Sequence, residues 1–153
     1  IVIDYLGEED EIEVVHKTTG EEPAEINQVV TGKDLLRYQD LIRNIPASEE
    51  VTRYAVNLVR STRPGHPEAP DFVNEWVSYG ASLRASQYLI LGGKARALMH
   101  NRYNVSCEDI RTLAKPVMRH RILTNFHAES ENVKPDDIIR KLLETVPVPS
   151  SGI

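Results

Sequence analysis

Gly80 to His100 reads Gly-Ala-Ser-Leu-Arg-Ala-Ser-Gln-Tyr-Leu-Ile-Leu-Gly-Gly-Lys-Ala-Arg-Ala-Leu-Met-His, and the rest of the chain is arranged around this stretch. Gly80 is predicted to close a preceding helix in the left-handed conformation that other residues avoid. Ser82 is then a good N-cap, its hydroxyl accepting from the free amides of the next turn. Leu83, Ile90, Leu91, Ala95, Leu98 and Met99 give the new helix an apolar side. Arg84 falls in its first turn, where the helix dipole favours anions over cations. A cation held there makes sense if an anion is delivered to the same spot.

Working outward, the segment before Gly80 is predicted to be a short helix. It opens at Pro70, buries Phe72, Val73, Trp76 and Val77, and ends at Gly80. Earlier still, Val51, Tyr54, Ala55, Leu58 and Val59 give the cleanest amphipathic spacing in the chain, behind a Ser48 cap. Arg63-Pro64-Gly65-His66-Pro67 breaks that helix into a loop. Thr31 and Asp34 resemble a capping box before a helix that buries Leu35, Tyr38, Leu41 and Ile42 and stops at Ile45-Pro46. The acidic run Glu8–Glu13 leads into Ile12, Val14 and Val15 as a helix with carboxylates at its positive end, closed by Gly20. Ile1–Tyr5 is β-branched and strand-like, with no convincing second strand to pair with.

On the other side, Asn101–Asn104 is a turn. Ser106 with Asp109 caps a helix whose core side is Ile110, Leu113, Ala114, Val117 and Met118, with Pro116 expected to kink it. Pro135 opens a last helix with Ile138, Ile139, Leu142, Leu143 and Val146 inside, followed by an extended tail. The fold class is therefore all-α. A bundle of about seven helices occupies residues 8–146, with a strand-like stub at 1–7 and a flexible tail at 147–153.

The totals narrow the function. A chain of 153 residues is one ordinary domain, and no apolar run is long enough to cross a bilayer. No secretory pattern opens it, and Ile1 in place of Met is the start expected of a piece of a longer protein. The lone Cys107 leaves no internal disulfide and fits a reducing, cytoplasmic location. The formal charge of −5 argues against nonspecific nucleic-acid binding. There is no Gly-x-x-x-x-Gly-Lys-Ser/Thr loop. Gly92-Gly93-Lys94 lies mid-helix and reads as small residues for close helix packing. His16, His66, His100, His120 and His127 show no i, i+4 pairing and no carboxylate framing, so no metal site is expected. Cys107 sits in a first helical turn, which could lower its pKa, but no base accompanies it, and a small buried residue is the better reading. Arg111, Lys115 and Arg119 share one side of a helix with His120 and Arg121 beside them. That stripe is either an ordinary charged face or a contact for an acidic partner, another subunit or DNA. Arg84 offers a planar fork of donors matched to phosphate oxygens, and at a helix start it would share its target with free amides.

Gly80-Ala81-Ser82-Leu83-Arg84-Ala85-Ser86 closely resembles the Gly-Ala-Ser-Pro-Arg-Ala motif of MoxR-type AAA+ ATPases. The resemblance extends to Tyr54-Ala55 through Arg60-Ser61-Thr62-Arg63-Pro64, to Phe72-Val73 through Trp76-Val77-Ser78-Tyr79-Gly80, and to Lys94-Ala95-Arg96-Ala97-Leu98. It also includes Tyr103 through Ile110 and Arg119-His120-Arg121, so it covers roughly residues 1–146. Leu83 departs from the family's Pro, and Leu6-Gly7 stands where Pro is more usual after the Tyr. The resemblance implies a C-terminal helical lid with a stub of the ATPase core. Arg84 would then be the sensor-2 arginine, supported by Ser82. It would face the γ-phosphate of ATP, with Mg2+, bound by the core of the same or a neighbouring subunit. The resemblance also implies an oligomeric ring in the parent, a chaperone-like role on a client protein, and no ATP hydrolysis by this piece alone.

Overall fold

The computed structural model describes residues 4–20 and 27–149, and it divides into two units, Ile1–Tyr38 and Gln39–Ile153. Among the described residues there are eight helices and one two-stranded sheet, in the order α1 (Glu8–Thr19), α2 (Gly32–Asn44), α3 (Glu49–Arg60), α4 (Asp71–Trp76), β1 (Val77–Tyr79), α5 (Leu83–Met99), α6 (Cys107–Met118), β2 (Leu123–Thr124), α7 (Phe126–Ser130) and α8 (Pro135–Thr145).

In the first unit, α1 begins on its carboxylates and ends at Gly20 as the sequence predicts. The Thr31–Asp34 capping box also forms: the Asp34 amide donates to the Thr31 hydroxyl (3.2 Å) and the Thr31 amide to the Asp34 carboxylate (2.9 Å). The expected burial is absent, because neither α1 nor α2, whose residues from Gln39 onward belong to the second unit, has a buried residue. Leu35 is 51% exposed, and Tyr38 and Leu41 are similarly open; of the four residues predicted to be inside α2, only Ile42 is half-buried. Of the predicted Ile1–Tyr5 strand, residues 1–3 lie outside the described residues, as do 150–153 of the tail; Asp4 to Gly7 has no regular structure.

The second unit holds the core. Ser48 caps α3, its hydroxyl accepting from the Val51 amide (3.3 Å), and all five predicted apolar residues of α3 are buried. Packed with them are Ala85 and Leu89 of α5, Ile110, Ala114 and Met118 of α6, and Ile138, Ile139 and Leu142 of α8. Pro135 stands at the head of α8 as expected, and α6 runs on through Pro116.

Three expectations are corrected here. The helix before Gly80 starts one residue later, with Pro70 as its N-cap, and stops at Trp76. Val77–Tyr79 instead pairs antiparallel with Leu123–Thr124, Val77 opposite Thr124 and Tyr79 opposite Leu123. Both strands are too short to show an alternating pattern, so the sequence gives no sign of them. Gly80 is not left-handed; among the described glycines that conformation belongs to Gly65. Finally, α5 buries a different face. Ala85, Ser86, Leu89, Gly93 and Ala97 are inside; of the six predicted residues, Ile90 and Leu98 are half-buried against the core and Ala95 is half-buried, while Leu83, Leu91 and Met99 face out. The buried face is made of small residues because α5 lies close to α6 and α3. A Cβ on Gly93 would come within 2.7 Å of Val105, and one on Gly92 within 3.0 Å of Leu113. The close packing expected of the Gly-Gly pair is therefore present. The size of a side chain misidentifies the face, because tight helix contacts favour little ones.

Candidate functional site

The start of α5 is fixed by a clasp from the end of α3. Thr62, fully buried, donates its hydroxyl to the Val59 carbonyl (2.6 Å) and accepts from the Ala81 amide (2.8 Å). Arg63 donates from Nε to the Ala81 carbonyl (3.0 Å). Gly80 fits between them because it has no side chain: a Cβ there would lie 2.3 Å from the Thr62 oxygen and 2.7 Å from the Arg63 Cα. Both backbone polar groups of Ala81 are thus held by consecutive residues of one loop. Leaving such buried groups unpaired would cost about 1–3 kcal/mol each. The chain leaves this clasp directly into Ser82 and the first turn of α5, so two elements distant in sequence set where Arg84 begins.

Ser82 is the N-cap residue, in extended conformation, but its hydroxyl makes no capping bond, contrary to the expectation. The first turn of α5 carries no acidic residue. Arg84 is exposed and, among the described residues, forms no hydrogen bond or ion pair. The result is a rigidly mounted helix start with an unneutralised dipole, free amides and an uncommitted guanidinium. This donor set is suited to a phosphate-like anion. Beside it, a cavity of about 550 Å³ is lined by Leu83, Ser86, Gln87, Ile90 and Lys94 of α5 with Arg43, Thr52 and Val56.

The second predicted set is spread along α6 and just beyond it, and most of it serves the fold. Arg111 donates from Nη1 to the Leu143 carbonyl (2.8 Å) and the Tyr54 hydroxyl (3.2 Å), joining α6 to α8 and α3. Arg119 pairs with Asp136 at 2.8 Å. Arg121 lies over the Tyr88 ring at 5.2 Å and donates to the Val117 carbonyl. Lys115 is half-buried on the same helix. Side chains bound to their own fold are poorly placed to meet a partner or DNA. The structure does not bring this stripe together with Arg84 in one contact network.

Cys107 is half-buried, not fully buried as expected, and burial pushes its thiol up, away from the reactive range. The strongest polar cluster of the core went unrecognised as such from sequence. The Ser106–Asp109 capping box is there (Asp109 amide to Ser106 Oγ, 3.3 Å; Ser106 amide to Asp109 Oδ2, 2.9 Å). In addition, Arg102 clamps the buried Asp109 with two bonds, 2.7 and 2.6 Å. Arg96 Nε lies 3.2 Å from Oδ1 without the alignment of a hydrogen bond. Burial alone would raise the Asp109 pKa; the Arg102 fork and the Ser106 donors outweigh it and bring it down to about 2. This cluster locks the turn between α5 and α6. A third group, Glu75, His127 and Glu131, is assembled from α4 and α7. Contrary to the expectation that no carboxylate frames a histidine, Glu131 stands four residues after His127, and the fold brings Glu75 to them.

The AAA lid domain family matches residues 72–142. Over 149 residues the chain is 30% identical to the chaperone MoxR1 of Mycobacterium tuberculosis, covering 97% of this chain and 39% of that protein. It is 29% identical over 146 residues to the uncharacterized protein YeaC of Bacillus subtilis, covering 95% of this chain and 43% of that one. A crystal structure of a protein assigned as an ATPase from Cytophaga hutchinsonii superposes with a TM-score of 0.80 at 30% identity. It covers 97% of this chain and 45% of the other. The chain thus spans less than half the length of each relative it matches.

Proposed function

Because this chain is the helical lid of a MoxR-type AAA+ ATPase, we propose that the head of α5 reports the nucleotide state of the ATPase core to the rest of the molecule. Arg84 acts as the sensor-2 arginine, and the free amides after Ser82 share its target. The observation that carries this reading is the uncommitted Arg84 on a helix start immobilised by Thr62 and Arg63. The donor set fits ATP: ATP with Mg2+, held by the core, supplies a γ-phosphate whose oxygens can accept from such a fork.

On this reading the work of the chain is positional. With the anion in reach, Arg84 anchors the lid to the core of its own or a neighbouring subunit. Without it, Arg84 lets go, and the clasp makes the second unit turn with α5 as one piece. Coupling of this kind would convert the hydrolysis cycle of a homo-oligomeric ring into subunit motion. The name of the M. tuberculosis relative supports a chaperone-like outcome on client proteins. The ties of Arg111, Arg119 and Arg121 within the fold give no support to a DNA-binding reading of the α6 stripe.

The test is Arg84→Ala in the full-length parent. Turnover at saturating ATP should fall at least tenfold, less than the roughly 10³–10⁵ attributed to arginine fingers that act on the transferring group itself. The helical circular dichroism should stay the same, since Arg84 has no partner to lose. Unchanged turnover would remove the sensor role.

A further inference from the structure

We propose that Glu75, His127 and Glu131 form a binding site for a first-row transition-metal dication, with Zn2+ as the reference ion, that ties α4 to α7. His127 and Glu131 are one turn apart, and Glu75 approaches from the other element. His127 Nδ1 lies 3.6 Å from Glu75 Oε1, and Nε2 lies 3.5 Å from Glu131 Oε1. One ligand atom from each of the three residues lies within 4.8 Å of the others. Zinc bonds of about 2.0–2.2 Å in tetrahedral geometry place ligand atoms about 3.4 Å apart. The two carboxylates approach different ring nitrogens, and only one nitrogen can bind the ion, so binding requires the exposed side chains to rotate until all three ligand atoms converge.

Two features distinguish this group from a chance surface cluster. The backbone beneath it is fixed. The Asn125 amide donates to the Trp76 carbonyl (3.0 Å), its side-chain amide donates to the Glu75 carbonyl (2.7 Å), and its side-chain oxygen caps α7 by accepting from Ala128 (3.0 Å). One residue therefore holds both supporting elements at a set separation. Glu131 is also oriented from outside the cluster: the Trp76 indole donates to Oε2 at 2.9 Å, leaving Oε1 turned toward His127. Outer donors of this kind position metal-binding carboxylates. With a neutral imidazole the group carries two negative charges, which a dication neutralises. Imidazole with carboxylates favours zinc, copper or nickel over magnesium and calcium, and three protein ligands leave room for water.

The experiment is a Zn2+ titration of the metal-stripped 153-residue chain, followed by equilibrium dialysis and thermal denaturation, with Mg2+ in parallel. One zinc should bind per chain. At a free concentration of about 100 times the dissociation constant the Tm should rise by roughly 5–10 °C, with no comparable rise from Mg2+. Glu75→Gln and His127→Ala should each weaken zinc binding at least tenfold while the metal-free Tm holds. Should His127→Ala lower the metal-free Tm, the isosteric Glu75→Gln decides alone. No zinc-dependent rise, an equal rise with Mg2+, or full binding in the Glu75→Gln variant overturns the site.

Discussion

α2 and α3 are nearly matched on paper and differ in the molecule. They have 13 and 12 residues, each starts with a side-chain cap, and each carries apolar residues at helical spacing. Yet α3 buries Val51, Tyr54, Ala55, Leu58 and Val59, whereas Leu35, Leu36, Tyr38 and Leu41 of α2 are exposed. Helical spacing identifies the side of a helix that is suited to burial. Whether that side is covered depends on residues far away in the chain, which local pattern does not encode. The contrast can be broken by truncation. Leu58→Ala, at a site with no exposed surface, should cost about 3 kcal/mol, within the usual range of roughly 2–5 for such deletions. Leu35→Ala should stay within about 0.5 kcal/mol. Urea denaturation of both variants of this chain checks the pair. An equal loss at Leu35 would mean that α2 is covered after all.

The two capping boxes sharpen the same contrast. Asp109 is about 1% exposed and clamped by Arg102, whereas Asp34 is only half-buried, has no cationic partner among the described residues, and is held below its usual pKa mainly by the Thr31 hydroxyl. With Asp109 near 2 when folded and about 3.9 when unfolded, its carboxylate contributes about 2.5 kcal/mol. Because the folded pKa is the lower one, that stabilisation is complete above about pH 4 and is lost as the pH falls through about 2. The urea midpoint measured from pH 7 to pH 2 should therefore drop steeply at the acid end. Asp109→Asn should flatten most of that drop while lowering stability at neutral pH, where Arg102 loses its partner. Asp34→Asn should leave the acid limb almost as it was.

Much of the second unit could be read directly: the Ser48 and Ser106 caps, the buried face of α3, the Pro-opened α8 and the close packing at Gly92-Gly93 all follow from local chemistry. What could not be read is what depends on residues meeting from afar. Val77–Tyr79 is a strand only because Leu123–Thr124 lies beside it. Leu83, Leu91 and Met99 of α5 point outward because much of the inside contact is made by Ala85, Gly93 and Ala97. The candidate site shows the same division. Arg84 on a helix start was visible in the sequence. The Thr62 hydroxyl that positions it was not, since a threonine after a helix has no pattern of its own until Ala81 donates to it. Glu75 was likewise invisible as a neighbour of His127, lying 52 residues earlier in the numbering.

The finest comparison is between two glycines. Gly32 heads α2 with nothing within 4 Å of a would-be Cβ, whereas Gly80 has the Thr62 carbonyl at 2.3 Å. Neither has the positive φ that would restrict it to glycine, so any difference between them is one of space alone. Gly32→Ala should be neutral or stabilise by about 0.4–1 kcal/mol, because the unfolded chain loses freedom that the helix does not need. Gly80→Ala should destabilise by about 1–3 kcal/mol, since the crowding atoms are backbone and one side of the clasp has to move. The same displacement shifts the first turn of α5, so in the full-length parent Gly80→Ala should reduce ATP turnover while Gly32→Ala leaves it alone. A Gly80→Ala protein that is both stable and fully active would mean that the loop after α3 does not position Arg84. Under the proposed function, Arg84 would then have to be aimed by its contact with the core instead.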